Sequence, residues 1–153
     1  MKKTIKKVII PFIDEVNQNG RKYTKESLKQ LVESFKEKQK EEQVFGELYD
    51  NRVNDYTIIN LSRIALETTN VFIEKNKLIG EIRLLDTPYG NASKKIIDKL
   101  ELRPRTIGQV DNTTKEITIT KLIAFDLIDK NTDSFKKQDE ETKKQDKETE
   151  IIL

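Results

Sequence analysis

At 153 residues the chain has the length of one ordinary domain, and its 29 Lys and Arg nearly balance 27 Asp and Glu. That balance leaves no one-signed field to recruit DNA, RNA or an anionic membrane surface. Cysteine and histidine are both absent, which removes disulfides, thiolate nucleophiles, zinc–thiolate sites, Ser–His and Cys–His pairs, HExxH zinc sites and histidine proton shuttles.

The first segment, "MKKTIKKVIIPFID", places lysines ahead of an apolar run, but the run is short, contains Pro11 and stops at Asp14 without a small-residue cleavage site. It reads as a strand over residues 4–13, with the proline at an edge or a bulge. "NQNGRKY" follows as an Asn-Gly turn at Asn19 and Gly20. In "TKESLKQLVESFKEKQKEE", Leu28, Leu31, Val32 and Phe35 recur at helical spacing behind Thr24 as N-cap. The outer face of that helix is Lys, Glu and Gln, a solvated face.

"VFGELYDNRVNDY" reads as a polar loop, and "TIINLSRIALETT", "VFIEKN" and "KLIGEIRLL" as β-rich runs with a hairpin turn at 75–77. Thr87 and Pro88 are an N-cap and first helical position. Ala92, Ile96, Ile97 and Leu100 form the expected buried stripe of a second helix. "RTIGQVD" and "EITITKLIAFDLI" are two more strands joined at a turn, "NTT". The first of these is led by Arg103, Pro104 and Arg105, an awkward start for a strand that must pack into a core.

No segment approaches the roughly 20 apolar residues of a membrane span. No Gly-rich phosphate loop occurs, so no cofactor is called for. The expected fold class is α+β: a small, mainly antiparallel β-sheet or barrel with two packed helices. Residues 1–133 make the domain. Residues 134–153 make a charged tail, disordered or helical only when docked, ending in the apolar Ile151, Ile152 and Leu153.

The order of these segments resembles the prohead proteases of tailed bacteriophages, capsid-maturation serine proteases related in fold to the herpesvirus assembly protease. "NQNGRKYTKESL" is similar to that family's opening N-x-N-G-R-x-Y and first helix, "GELYDN" to its G-E-L-x-H-P loop, and "LLDTPYGN" to its L-D-T-P-x-G helix start. "RPRTIG" falls where the S-x-R-x-x-G nucleophile strand belongs, and "LIAFDLIDKNTD" resembles the closing F-D-L-V strand. The likeness covers most of residues 8–133 in collinear order.

The family's site consists of a histidine base in the G-E-L loop and a serine two residues before the arginine of the later strand. Here the histidine position falls on Asp50 or Tyr49, and the serine position on Arg103 or Pro104, while Arg105 and Gly108 keep their places. Proline has no hydroxyl, and arginine offers donors only and stays protonated, so the resemblance implies a degenerate former site at Tyr49, Asp50, Arg103, Pro104 and Arg105. With no site to maintain, the arginine pair is free to grip a carboxylate. Asp50 beside Arg103 would make an ion pair more readily than a catalytic carboxylate. Ser93 and Lys94 point about 100° apart on a helix and make no local dyad. Glu47, Asp50, Asp86 and Asp126 could gather as a metal or carboxylate site, although Asp86 fits a helix start and Asp126 a strand end.

The resulting expectation is a non-enzymatic virion protein, an auxiliary capsid or capsid-assembly protein assembled in the host cytoplasm. It would bind the major capsid protein or other virion subunits, and self-associate, with the tail residues Ile151, Ile152 and Leu153 docking on a neighbouring subunit or on a second copy of the chain. The alternatives are an active protease using replacement residues, such as Asp50 with Thr106, and an unrelated small binding domain.

Overall fold

The computed structural model describes residues 3–49, 56–129 and 150–152, the last three as backbone. Strand β1 (Ile5–Ile10) leads into helix α1 (Lys25–Glu41) and strand β2 (Val44–Glu47). A single 3-10 turn, Leu61–Arg63, precedes the hairpin of β3 (Ile64–Glu74) and β4 (Lys77–Leu84). Helix α2 (Pro88–Lys95) and a second 3-10 turn, Ile97–Lys99, precede β5 (Leu100–Val110), β6 (Ile117–Asp129) and the short β7 (Glu150–Ile152).

The strands form two sheets, β1-β4-β3-β2 and β6-β5-β7, and every pairing within them is antiparallel. The architecture is α+β, with two helices and antiparallel sheets. Two ties bind the sheets at their margins. Lys7 Nζ on β1 donates to the carbonyls of Ile97 and Leu100 at 2.8 and 2.9 Å. The segment after β2 runs beside β6, where the Tyr49 amide donates to the Leu127 carbonyl at 2.7 Å.

Helix α1 forms as its spacing predicts. Thr24 and Ser27 make a reciprocal capping box that satisfies two backbone amides of the first turn. Leu28, Leu31 and Phe35 are buried, and the Phe35 ring meets Phe125 of β6 at a centroid distance of 6.3 Å. The same helix face covers the outer edge of β6: Ser27 Oγ donates to the Ile117 carbonyl at 2.7 Å, and Gln30 Oε1 accepts the Ile119 amide at 2.8 Å. The turn at 17–21 is built by Asn17, whose side-chain oxygen accepts the amides of Asn19 and Arg21, with Gly20 at φ 76°. Lys75 and Asn76 close the β3–β4 hairpin, both with positive φ.

Three expectations are corrected. Helix α2 ends at Lys95, and its buried residues are Gly90 and Ser93, whereas Ala92 and Ile96 are exposed and Leu100 already belongs to β5. The turn tightens to 3-10 after Ile96, which shortens the helix before an apolar stripe can develop. Residues 44–47, read as loop, are a strand. The strand of Arg105 begins at Leu100 and takes Arg103 and Pro104 inside it. Proline is tolerated there because β7 pairs only with Thr106–Gly108, leaving Pro104 with β6 as its sole strand neighbour among the described residues.

Candidate functional site

Gly46 fixes where β2 crosses β6. A Cβ built on it would lie 1.9 Å from the Phe125 carbonyl oxygen, so only glycine allows the two backbones to approach this closely. The next residue, Glu47, then stands beside Asp126, whose Oδ1 accepts the Glu47 amide at 2.9 Å. On β5, Arg105 extends into the same place.

The Arg105 guanidinium distributes its donors among five acceptors. Nε donates to Asp126 Oδ2 at 2.8 Å, and Nη2 to Asp126 Oδ1 at 3.1 Å and Glu47 Oε2 at 3.0 Å. Nη1 donates to the carbonyls of Tyr56 and Ile58 at 3.3 and 3.1 Å, holding the incoming end of the 56–60 segment. Arg105, Glu47 and Asp126 are 3, 3 and 5% exposed, so the cluster lies inside the protein. Glu47 extends it outward: Oε2 accepts the Asn60 amide at 3.3 Å, and Oε1 faces Arg63 Nε at 3.4 Å. Arg63 in turn lies over the Tyr89 ring, 4.6 Å from its centroid, and donates to its hydroxyl at 2.9 Å.

Burial alone would lower the Arg105 pKa, but the Asp126 and Glu47 carboxylates outweigh it and hold the guanidinium above its ordinary value. Burial pushes the Asp126 carboxyl up. Arg105 and the Glu47 amide oppose that push, and the Glu47 carboxylate adds to it. Chemically, the cluster locks β2, β5, β6 and the 56–60 segment together, and every guanidinium proton is already directed at an acceptor of this chain.

The other residues singled out from the sequence fall around this lock. Tyr49 stacks on Tyr56 at 6.4 Å between ring centroids. Asp50 lies outside the described residues, as does Leu153. Arg103 pairs with Glu101 two residues back on the same strand, its Nε donating at 2.9 Å. It also lines two adjoining surface hollows of about 330 and 250 Å³ between β1 and β5. Pro104 is buried opposite Phe125. Ile151 and Ile152 lie in β7, a strand rather than a helix, in register with Ile107 and Thr106.

The arginine pair does grip carboxylates, Arg103 that of Glu101 and Arg105 those of Glu47 and Asp126, all three on this chain. Of the four carboxylates considered together, Glu47 and Asp126 meet, while Asp86 accepts from Asn91 Nδ2. Asp126 is therefore no strand-end residue but a central one. Among the described residues no group of three or more Asp or Glu is placed to hold a metal. Arg63 and Tyr89 carry no signal in the sequence, whereas Glu47 stands there as one of four candidate clustered carboxylates. Among the described residues no serine lies on β5, whose one hydroxyl side chain is that of buried Thr106. Ser93 Oγ is buried and donates to the Tyr89 carbonyl, Ser27 Oγ to Ile117, and Ser62 Oγ to Asn60 Oδ1.

No protein-family model matches the chain, and no curated protein matches it. A solved structure does: the bacteriophage T4 capsid assembly protease gp21, with a TM-score of 0.64 over 82% of this chain and 80% of that one, at 18% identity. The chain has the prohead-protease fold. On the prohead-protease fold, the G-E-L, R-x-x-G and F-D-L segments quoted from the sequence supply Glu47, Arg105 and Asp126, the three members of the buried lock. No helix among the described residues is long and apolar enough to cross a membrane.

Proposed function

We propose that the protein is a non-enzymatic component of a bacteriophage particle, an auxiliary capsid or capsid-assembly protein that uses an inactivated prohead-protease fold to bind capsid subunits. The observation that carries this reading is the strand Arg103–Pro104–Arg105. One arginine is paired with Glu101, the proline is buried with no hydroxyl, and the other arginine is enclosed by Glu47 and Asp126. Acyl transfer by a hydroxyl needs an attacking oxygen and a base within hydrogen-bond reach. The sequence contains neither His nor Cys, and the hydroxyls of Ser27 and Ser93 are engaged with backbone carbonyls.

The structural neighbour is named as a capsid assembly protease, which supports an assembly context for the fold. A protein of that shape operates among capsid subunits, and binding surfaces for them outlast the loss of chemistry. The major capsid protein is the proposed partner.

Two measurements test this reading. Mass spectrometry of purified virions should find the chain at a fixed stoichiometry to the major capsid protein. Incubation of the purified protein with its own capsid and scaffold proteins should leave all bands intact. Cleavage of any of them, lost on replacing Thr106 or Asp50, would establish an active protease instead.

A further inference from the structure

Strand β7 occupies a small part of a longer edge. It pairs with Thr106, Ile107 and Gly108 through Ile152, Ile151 and Glu150, whereas β5 begins at Leu100. Three pairs make a short ladder, and such ladders are held mainly by main-chain hydrogen bonds that any strand of matching register can supply. The 20 residues 130–149 separate β7 from the end of β6. Twenty residues span at most about 70 Å when extended, enough to reach a neighbouring molecule as readily as the same one.

We propose that the outer edge of β5 is a strand-exchange site, on which Glu150–Ile152 of a second copy of this chain docks in place of the resident segment. The occupant is the segment already paired with this edge, Glu150–Ile152, and its β-branched residues favour an extended strand. Exchange costs no contact, since the ladder broken within one copy is remade between two. It is governed by concentration. The resident segment competes at an effective concentration on the order of millimolar, so exchange becomes appreciable where copies are crowded together. This holds whether or not the chain is a virion component.

The absence of native cysteine makes the test clean. Ile107→Cys and Ile151→Cys replace residues directly opposite in register. Singly substituted chains, one isotopically labelled, are mixed under mild oxidation at rising concentration. The mixed disulfide should form about 10-fold faster than between Ile151→Cys and Lys29→Cys, and its yield should rise with concentration. A doubly substituted chain that closes internally while the mixed pair forms no faster than the control would overturn the proposal, as would failure of both to close. Circular dichroism of each variant confirms that it is folded. A second measurement uses unsubstituted contact residues: light scattering of the wild type should show concentration-dependent dimer that Ile151→Asp/Ile152→Asp abolishes.

Discussion

Arg105 sits between two acids with all its donors directed inward, and removing it would leave Asp126 and Glu47 buried without their shared cation. Replacement by leucine should cost about 3–5 kcal/mol, as for other broken buried pairs, read as a lowered urea midpoint with unchanged slope. A loss under about 1 kcal/mol would mean that water reaches the cluster. Asp126 makes a separate prediction about pH. Its folded pKa lies above the ordinary 3.8, so the folded chain holds this proton more tightly than the unfolded chain. Its contribution to stability is then fully present below pH 3.8 and is lost as the pH rises through the raised value. The stability difference between wild type and Asp126→Asn should change within that window and be flat outside it. Carboxyl-carbon NMR of Asp126 gives the folded value directly, and titration at or below 3.8 would contradict the assignment. In the sequence Arg105 reads as a carboxylate-gripping residue and Asp126 as a strand end. Their partnership spans 21 residues, and that with Glu47 spans 58, so no local pattern could announce it.

Helix α1 and helix α2 differ in how openly their sequences declare them. In α1 the apolar period, the N-cap and the solvated face agree, and all three appear in the structure. Thr24→Ala should therefore cost about 1 kcal/mol, with the Ser27 amide, which donates to the Thr24 hydroxyl, losing protection from hydrogen exchange first. Wild-type protection in that variant would show the capping box to be dispensable. Helix α2 was misread because its packing is by backbone. A Cβ on Gly90 would lie 2.0 Å from the Leu85 carbonyl oxygen, and the residue that turns inward is Ser93, bonded to Tyr89. A hydrophobic template has no means of finding a face made of glycine and serine. The start of β5 is hidden for a related reason. Proline and arginine look like punctuation, yet Pro104 has no second paired strand among the described residues and Arg105 is neutralised inside.

At the scale of the molecule, two sheets and two helices meet at a few fixed points, and Gly46 is the tightest of them. Gly46→Ala drives a methyl into the Phe125 carbonyl, which belongs to backbone and cannot rotate away. The expected loss is at the upper end of about 1–3 kcal/mol for overpacking. The variant should also loosen the Glu47–Asp126 bond, visible as faster exchange of the Glu47 amide. An unchanged midpoint and unchanged exchange would place the crossing elsewhere. The fold class and the sequence of elements were legible because alternation and capping are local. The crossing itself was not, because a glycine in a polar-looking stretch reads as a turn until the strand that passes over it is known.

The salt-linked core described for Glu47, Arg105 and Asp126 also has a temporal meaning. Arg105 and Asp126 face each other within the β5–β6 hairpin, but Glu47 reaches them only when β2 is laid across β6, so the complete lock is expected to close late in folding. Weakening it should leave the refolding rate nearly untouched and accelerate unfolding, so that Arg105→Leu steepens the loss of kinetic persistence. Stopped-flow chevrons would show this as a shift confined to the high-denaturant limb, and the same bonds that are last to form would then set how long the folded molecule endures.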